Sequence, residues 1–227
     1  MKIVTLFVKP KYEKFIVPLQ REFKLQTNMN IKSIITAAVA LLASTACSGG
    51  AKQEKVMKTE GNAIVVFFSH AGDNYAVGNI EVGNTKIVAD YITELTGADQ
   101  FEIVTHKYDG MAYTPLINLA KEEAKKGELP EYEGDVDLSQ YDTVFIGGPV
   151  WWGTYPQVMF TFFKKHGGDL NGKTVIPFTT HEGSGLANCV EAVKAAFAGA
   201  NVTKGFSIYG HEVRNQKVKV EKWLKNL

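Results

Sequence analysis

Apolar and polar positions alternate along the chain in blocks of two kinds. Residues 62–69, NAIVVFFS, form an unbroken apolar run, the pattern of a strand covered on both faces. After a polar loop, residues 84–97 carry Ile87, Val88, Tyr91, Ile92 and Leu95 at helical spacing and close on glycine, which predicts an amphipathic helix. The alternation continues with a short strand at 99–105 and a helix at 115–128, whose Pro115 sits in the first turn and whose KEEAKKGE run reads as a solvated face. Strands at 141–149, 173–180 and 201–210 follow, each with a helix behind it at 156–167, 186–200 and 212–227. Five strands alternating with five helices predict right-handed crossovers, a parallel sheet and helices on both faces. The fold class is α/β, in one domain spanning 62–227.

The chain ahead of that domain has another character. From Met29 the sequence MNIKSIITAAVALLASTACSGG has a lysine, an apolar run over 34–43 and small residues ending at Cys47, as in a secretory signal. That run is shorter than the about 20 residues needed to span a bilayer. Cys47 followed by Ser-Gly-Gly resembles a bacterial lipoprotein processing site, which implies lipid attachment at Cys47. Ser44 stands where a leucine is usual, and the alternative is a plain cleaved signal with an incidental cysteine. Residues 1–28 are expected to be a non-functional extension ahead of a true start at Met29. Residues 48–61 are expected to form a flexible tether, so the protein is expected to be exported and held at a membrane through the lipid alone.

Charge narrows the partners. The whole chain has a formal net charge of +1, but from Ser48 onward 18 Lys plus Arg face 22 Asp plus Glu, a net charge of −4. That balance argues against nucleic acid as the main partner. Cys189 is the one thiol of the domain, so no disulfide forms within it, and a buried small hydrophobe is the expected role.

In an open parallel sheet, ligands bind where the chain leaves the carboxyl ends of the strands. The first such loop, SHAGDNYAVGNIEVGNT, offers Ser69, His70, Ala71, Asn84 and Thr85 beside glycines and opens a helix, a setting for a phosphate or simply for an N-cap. The third strand is followed by GGPVWWGTYP, in which Pro149, Val150, Trp151, Trp152, Gly153 and Thr154 combine flat aromatic faces with a flexible backbone. The fourth is followed by Thr180, His181, Glu182, Gly183, Ser184 and Gly185, again polar and glycine-rich. A phosphate cradle, an aromatic platform and a polar clamp on one sheet edge describe a flat heterocycle carrying a phosphate.

The order of elements and these three loops together resemble the flavodoxin-like proteins, in particular their short bacterial branch with a Trp-Trp-Gly turn; the likeness covers 62–227. It implies a three-layer sandwich with a five-stranded sheet in the order 2-1-3-4-5. It also implies FMN held without a covalent link by the seventeen residues just named, and a reductase or electron carrier whose partner is a small-molecule acceptor or a redox protein. Trp152 is the expected ring contact, and the other tryptophan a plug for the sheet end. Where the family has a compact Ser-x-Thr-Gly-Asn-Thr, this chain is interrupted between Gly72 and Gly83.

Other readings of the same residues stay open. A protein that keeps the fold but has lost or repurposed the flavin site is one, and a hydrolase using Ser184 and His181 is a remote second, because the G-x-S-x-G pattern is not met. Tyr113 is a candidate to lie over the pocket. Glu131, Glu133, Asp135 and Asp137 form a candidate acidic rim for a protein partner. The five histidines show no metal-ligand spacing.

Overall fold

The structure is a computed structural model that describes residues 61–227. The expected extension at 1–28, the signal segment with Cys47 and the tether as far as residue 60 lie outside the described residues. Among the described residues no helix is long and apolar enough to cross a membrane.

The apolar runs become β1 (Ala63–Phe67), β4 (Asp99–Glu102), β5 (Thr143–Pro149) and β6 (Thr174–His181), and the last run divides into β7 (Asn201–Val202) and β8 (Phe206–Tyr209). Between β1 and the first helix stand two short strands, β2 (Gly72–Asn74) and β3 (Gly78–Ile80). The helices are α1 (Asn84–Thr96), α2 (Tyr113–Lys126), α3 (Gln157–His166), α4 (Cys189–Ala196) and α5 (Lys217–Leu224). Left-handed Gly97 stops α1, as its position just past the apolar stripe predicts, and left-handed Gly127 stops α2 ahead of the expected end at 128.

The main sheet runs β4-β1-β5-β6-β7, with β8 also on β6, and all its pairings are parallel. The first four strands thus follow the expected 2-1-3-4 path, but the sheet has six strands rather than five. The fifth is split opposite Ile176–Pro177, since β7 pairs with Thr174 and Val175 and β8 begins at Phe178. Pro177 has no N–H to donate to a neighbour, and Gly205 turns there with a left-handed φ of 78°.

Successive residues of a strand point to opposite faces, and here they enter different apolar clusters. Ile64, Val66, Val144 and Ile146 pack with Leu116 of α2, Phe162 of α3 and Val193 of α4. Val65, Phe67, Phe145 and Phe178 pack with Val88 and Ile92 of α1 and Val220 of α5. Two expectations about helices change. The last helix is preceded by a 3-10 turn, Gly210–Asn215, and the charged face of α2 is not wholly solvated. Glu123 is fully buried; Tyr108 Oη donates to its Oε2 at 2.8 Å, and Lys107 Nζ lies 2.6 Å from its Oε1 as an ion pair rather than an aligned hydrogen bond.

Candidate functional site

The loop leaving β1 meets the start of α1. Ser69 Oγ accepts from the Lys86 N–H at 3.0 Å, which satisfies one of the donors that a helix start leaves free. A Cβ on Gly83 would come within 2.2 Å of Ser69 Oγ and 2.7 Å of the His70 carbonyl, so only glycine lets these segments touch. No protein acceptor among the described residues takes the N–H groups of Asn84 and Thr85, and the dipole of α1 adds to their pull on an anion. Thr85 and Thr180, both buried, share a 2.8 Å hydrogen bond that ties the first loop to β6. Asn84 Oδ1 accepts from Arg214 Nη1 at 2.9 Å while Arg214 Nη2 donates to the Val82 carbonyl. Arg214 carries no signal in the sequence, because its partners lie more than a hundred residues away.

The loop leaving β5 is a tight reversal. Trp151 and Thr154 exchange backbone hydrogen bonds of 2.8 and 3.2 Å around Trp152 (φ 51°) and Gly153 (φ 82°). Two positive φ angles between paired residues are the geometry of a two-residue turn in which Asn-Gly is the usual choice. A tryptophan there carries a strain on the order of 1–3 kcal/mol, and such strain gathers where a side chain is needed in place. Trp152 is 52% exposed, its Nε1–H donates to the Ile117 carbonyl of α2 at 2.9 Å, and Lys121 Nζ stands 4.9 Å from its ring centre. Trp151 instead meets Phe68, His70 and Tyr108 edge to face at 5.7, 5.7 and 5.2 Å and plugs the end of the sheet. The glycines before the tryptophans serve packing, since a Cβ on Gly147 would enter the Phe178 ring and one on Gly148 would meet Tyr155 at 2.8 Å.

The loop leaving β6 is held by its own hydrogen bonds. The Val150 N–H donates to the Thr180 carbonyl at 3.0 Å, the Asn188 N–H to the Gly153 carbonyl at 3.0 Å, and Thr179 Oγ1 to the Gly185 carbonyl at 2.9 Å. His181 Nδ1 accepts from the Gly183 N–H, which leaves the proton of the neutral ring on Nε2. His181 therefore has no free lone pair with which to draw a proton from Ser184. Glu182 accepts from the backbone N–H and Nδ1 of His211 at 2.9 and 2.6 Å.

The three loops surround one cavity of about 290 Å³, at the lower edge of the ~300–1,000 Å³ of small-molecule sites. Eleven of the seventeen candidate residues line it: His70, Asn84 and Thr85 from the first loop, Pro149 to Trp152 from the second, and Thr180, His181, Glu182 and Ser184 from the third. Ser69 and Ala71 line a neighbouring hollow that shares His70, whereas Gly153, Thr154, Gly183 and Gly185 support the turns without facing the cavity. Burial holds the His70 and His181 imidazoles below their ordinary range, against the opposing pull of Asp109 and Asp73 on the first and of Glu182 and Glu212 on the second. His70 Nε2 is buried without a partner among the described residues. Burial also pushes the Cys189 thiol up to about 12, as suits an inert core group.

Part of the wall was not legible in the sequence. The interruption of the first loop is the β2–β3 hairpin, and its Asp73, Asn74, Tyr75 and Val77 face the cavity, as do Leu116 and Ile117 of α2; Tyr113, the expected residue over the pocket, lines it as well. The candidate acidic rim is partly compensated, with Glu133 3.1 Å from His106 and Asp135 against Lys165 and His166 at 2.9 and 3.2 Å.

A parallel α/β sheet with a slot at the carboxyl ends of its strands, anion donors at one side and an aromatic turn at another, defines a protein of the flavodoxin-like class. The chain belongs to the Flavodoxin family, whose model matches residues 75–227. Its fold is similar to that of a protein provisionally described as a flavoprotein from Bacteroides eggerthii (24% identity, TM-score 0.56, 73% of this chain and 97% of that one). A second such protein from Bacteroides uniformis is 26% identical, with a TM-score of 0.54 over 73% and 98% of the two chains. The flavoprotein of Lactobacillus acidophilus, solved in complex with FMN, is 19% identical, with a TM-score of 0.52 over 70% and 99%. No curated protein matches the chain.

Proposed function

We propose that this protein binds FMN in the cavity and works as an oxidoreductase or electron-transfer protein. The observation that carries the reading is the convergence of the loops after β1, β5 and β6 on one cavity whose wall changes from hydrogen-bond donors to aromatic faces. The residues fit the group. Free N–H groups at Asn84 and Thr85 and the α1 dipole suit a phosphate, with the Ser69 hydroxyl beside them in the adjoining hollow, and Trp152 with the backbone of 149–154 and 180–185 suits a flat ring. A fold shared with a flavoprotein solved with FMN supports the same assignment.

FMN, when bound, supplies the uptake and release of electrons singly or in pairs. The chain's own residues position it and control its surroundings. Ser69 keeps its hydroxyl hydrogen for a ligand because its oxygen already accepts from Lys86, and the Thr85–Thr180 pair holds the two flanking loops in register. Trp151 packs on Phe68 and Tyr108 and closes the end of the sheet beneath the slot. The leader pattern supports export and attachment at Cys47, which places the domain on the far side of a bacterial membrane. Titrating the purified protein with FMN, followed by visible absorbance and by quenching of flavin fluorescence, tests the reading. Saturable uptake at one site per chain is expected, and a protein that stays colourless in excess FMN would falsify it.

A further inference from the structure

The β2–β3 hairpin is the part of the site that the fold does not need. No residue of 72–82 belongs to either apolar cluster, yet four residues of this stretch face the cavity. Asp73 Oδ2 accepts the Tyr113 N–H at 2.9 Å and so caps the start of α2. Tyr75 stacks on Tyr113 with ring centres 5.9 Å apart, and Asn74 Nδ2 donates to the Gly72 carbonyl at 3.0 Å. At the tip the Val77 N–H donates to the Tyr75 carbonyl at 2.8 Å around Ala76, whose φ is 63°, a strained three-residue turn that sets Tyr75 at the rim with 62% of its surface exposed.

We propose that this hairpin is a selectivity wall that admits a small uncharged planar ring of the quinone class to the cavity and keeps a protein surface out. The proposal rests on the FMN reading above. Tyr75, Tyr113 and Trp152 bring aromatic rings to the cavity wall, and Val77, Leu116 and Ile117 add aliphatic surface to it. No lysine or arginine is among the residues lining the cavity, whereas the carboxylates of Asp73 and Glu182 are. The nearest cations, Lys121 on the Trp152 ring and Arg214 on Asn84, stand behind the lining residues, so an anionic nucleotide entering beside the bound cofactor meets carboxylates with no cation in the wall, a penalty that an uncharged ring avoids. A protein partner needs a contact surface on the order of 1,000 Å² that can close over the redox centre, and the hairpin pinned on α2 stands in its way. In the exchange served, the quinone's two oxygens gain two electrons and two protons as the two-electron-reduced FMN gives them up, so the hydroquinone and oxidised FMN balance the step.

The experiment compares the full chain with Tyr75→Ala and with a deletion of 73–83 that joins Gly72 to Asn84 and leaves Ser-His-Ala-Gly-Asn-Thr, close to the compact loop of the family. FMN uptake is scored first by visible absorbance. FMN-loaded, dithionite-reduced protein is then mixed without oxygen with menadione or with cytochrome c, and the return of flavin absorbance is timed. Equilibrium dialysis against menadione measures binding independently of turnover. The wall predicts reoxidation by menadione at least about tenfold faster than by cytochrome c in the parent, with that ratio collapsing in the deletion. It also predicts a menadione Kd raised about threefold or more in Tyr75→Ala. Equal rates with menadione and cytochrome c in the parent, a ratio unmoved by the deletion, or an unchanged Kd in Tyr75→Ala overturns it. Should the deletion fail to fold, the Tyr75→Ala dialysis decides alone. If the parent takes up no FMN, the cofactor reading falls separately, and dialysis of the apoprotein still decides the wall.

Discussion

Trp152 and Ile117, thirty-five residues apart, are joined by a hydrogen bond in which the indole N–H donates to a carbonyl of α2 at 2.9 Å. The residue that carries the backbone strain of the Trp-Gly turn is thereby fixed to a helix that lines the same cavity. The bond ties the turn to the helix, so the shape of the slot depends on both.

Replacing Trp152 separates strain from function. Trp152→Asn suits the left-handed backbone but loses the bond to Ile117 and the contact with Lys121, so apoprotein stability is expected to shift by less than about 1 kcal/mol. FMN affinity is expected to fall about tenfold through lost ring contact. Thermal melts of the apoprotein and flavin-fluorescence titration check the two halves; unchanged affinity would remove Trp152 from the site.

The Thr85–Thr180 pair is expected to behave as a unit. Thr85→Val leaves the buried Thr180 hydroxyl without its partner and destabilises by about 1–3 kcal/mol, whereas changing both to valine costs less than the sum of the single changes. Urea unfolding of the three variants measures the coupling. For Ser69→Ala the lost hydroxyl is expected to weaken FMN by about 1.5–3 kcal/mol, since its acceptor would be a charged phosphate.

Glu123 is expected to be structural. Glu123→Ala strips Tyr108 of its acceptor and Lys107 of its ion partner, and breaking a fully buried pair costs up to about 3–5 kcal/mol; half-exposed Lys107 returns to water and places the loss at the lower end. Because Tyr108 packs on Trp151, the visible spectrum of bound FMN is expected to shift together with the fall in Tm. A Tm within one degree or so of the parent, about what 0.3 kcal/mol produces in a chain of this size, would contradict the burial argument.

The domain is expected to lose stability in acid through His70. Burial lowers its folded-state affinity for a proton below that of the unfolded chain, whose ordinary value is 6.5. The unfolded state then binds more protons as pH falls below 6.5, so stability is full above that value and declines towards the depressed folded value. His181 acts in the same direction. His70→Gln is expected to flatten the slope of urea midpoint against pH between about 5 and 7, and an unaltered slope assigns the acid sensitivity elsewhere.

The proposed lipid attachment at Cys47 has its own readout. Cys47→Ala is expected to move the protein from the membrane pellet to the soluble fraction and to abolish incorporation of labelled palmitate. Retention in the pellet without label would point to a different anchor.

The alternation of strands and helices and the three loops of the site could be read along the chain, whereas the path of the first four strands followed only from the family resemblance that those loops carry. Burial on two faces leaves a continuous apolar run, and an open parallel sheet puts its ligand at the carboxyl ends of its strands. Those are local consequences of backbone geometry. What only the tertiary structure decided rests on partners remote in sequence. Asp73 is a cap because the start of α2 lies beside it, Glu123 is buried because Tyr108 and Lys107 close over it, and Arg214 reaches Asn84 across the domain. The hairpin was hidden for the same reason. Its strands are three residues long and half-exposed, too short to show a period, and only their contact with α2 makes them a wall.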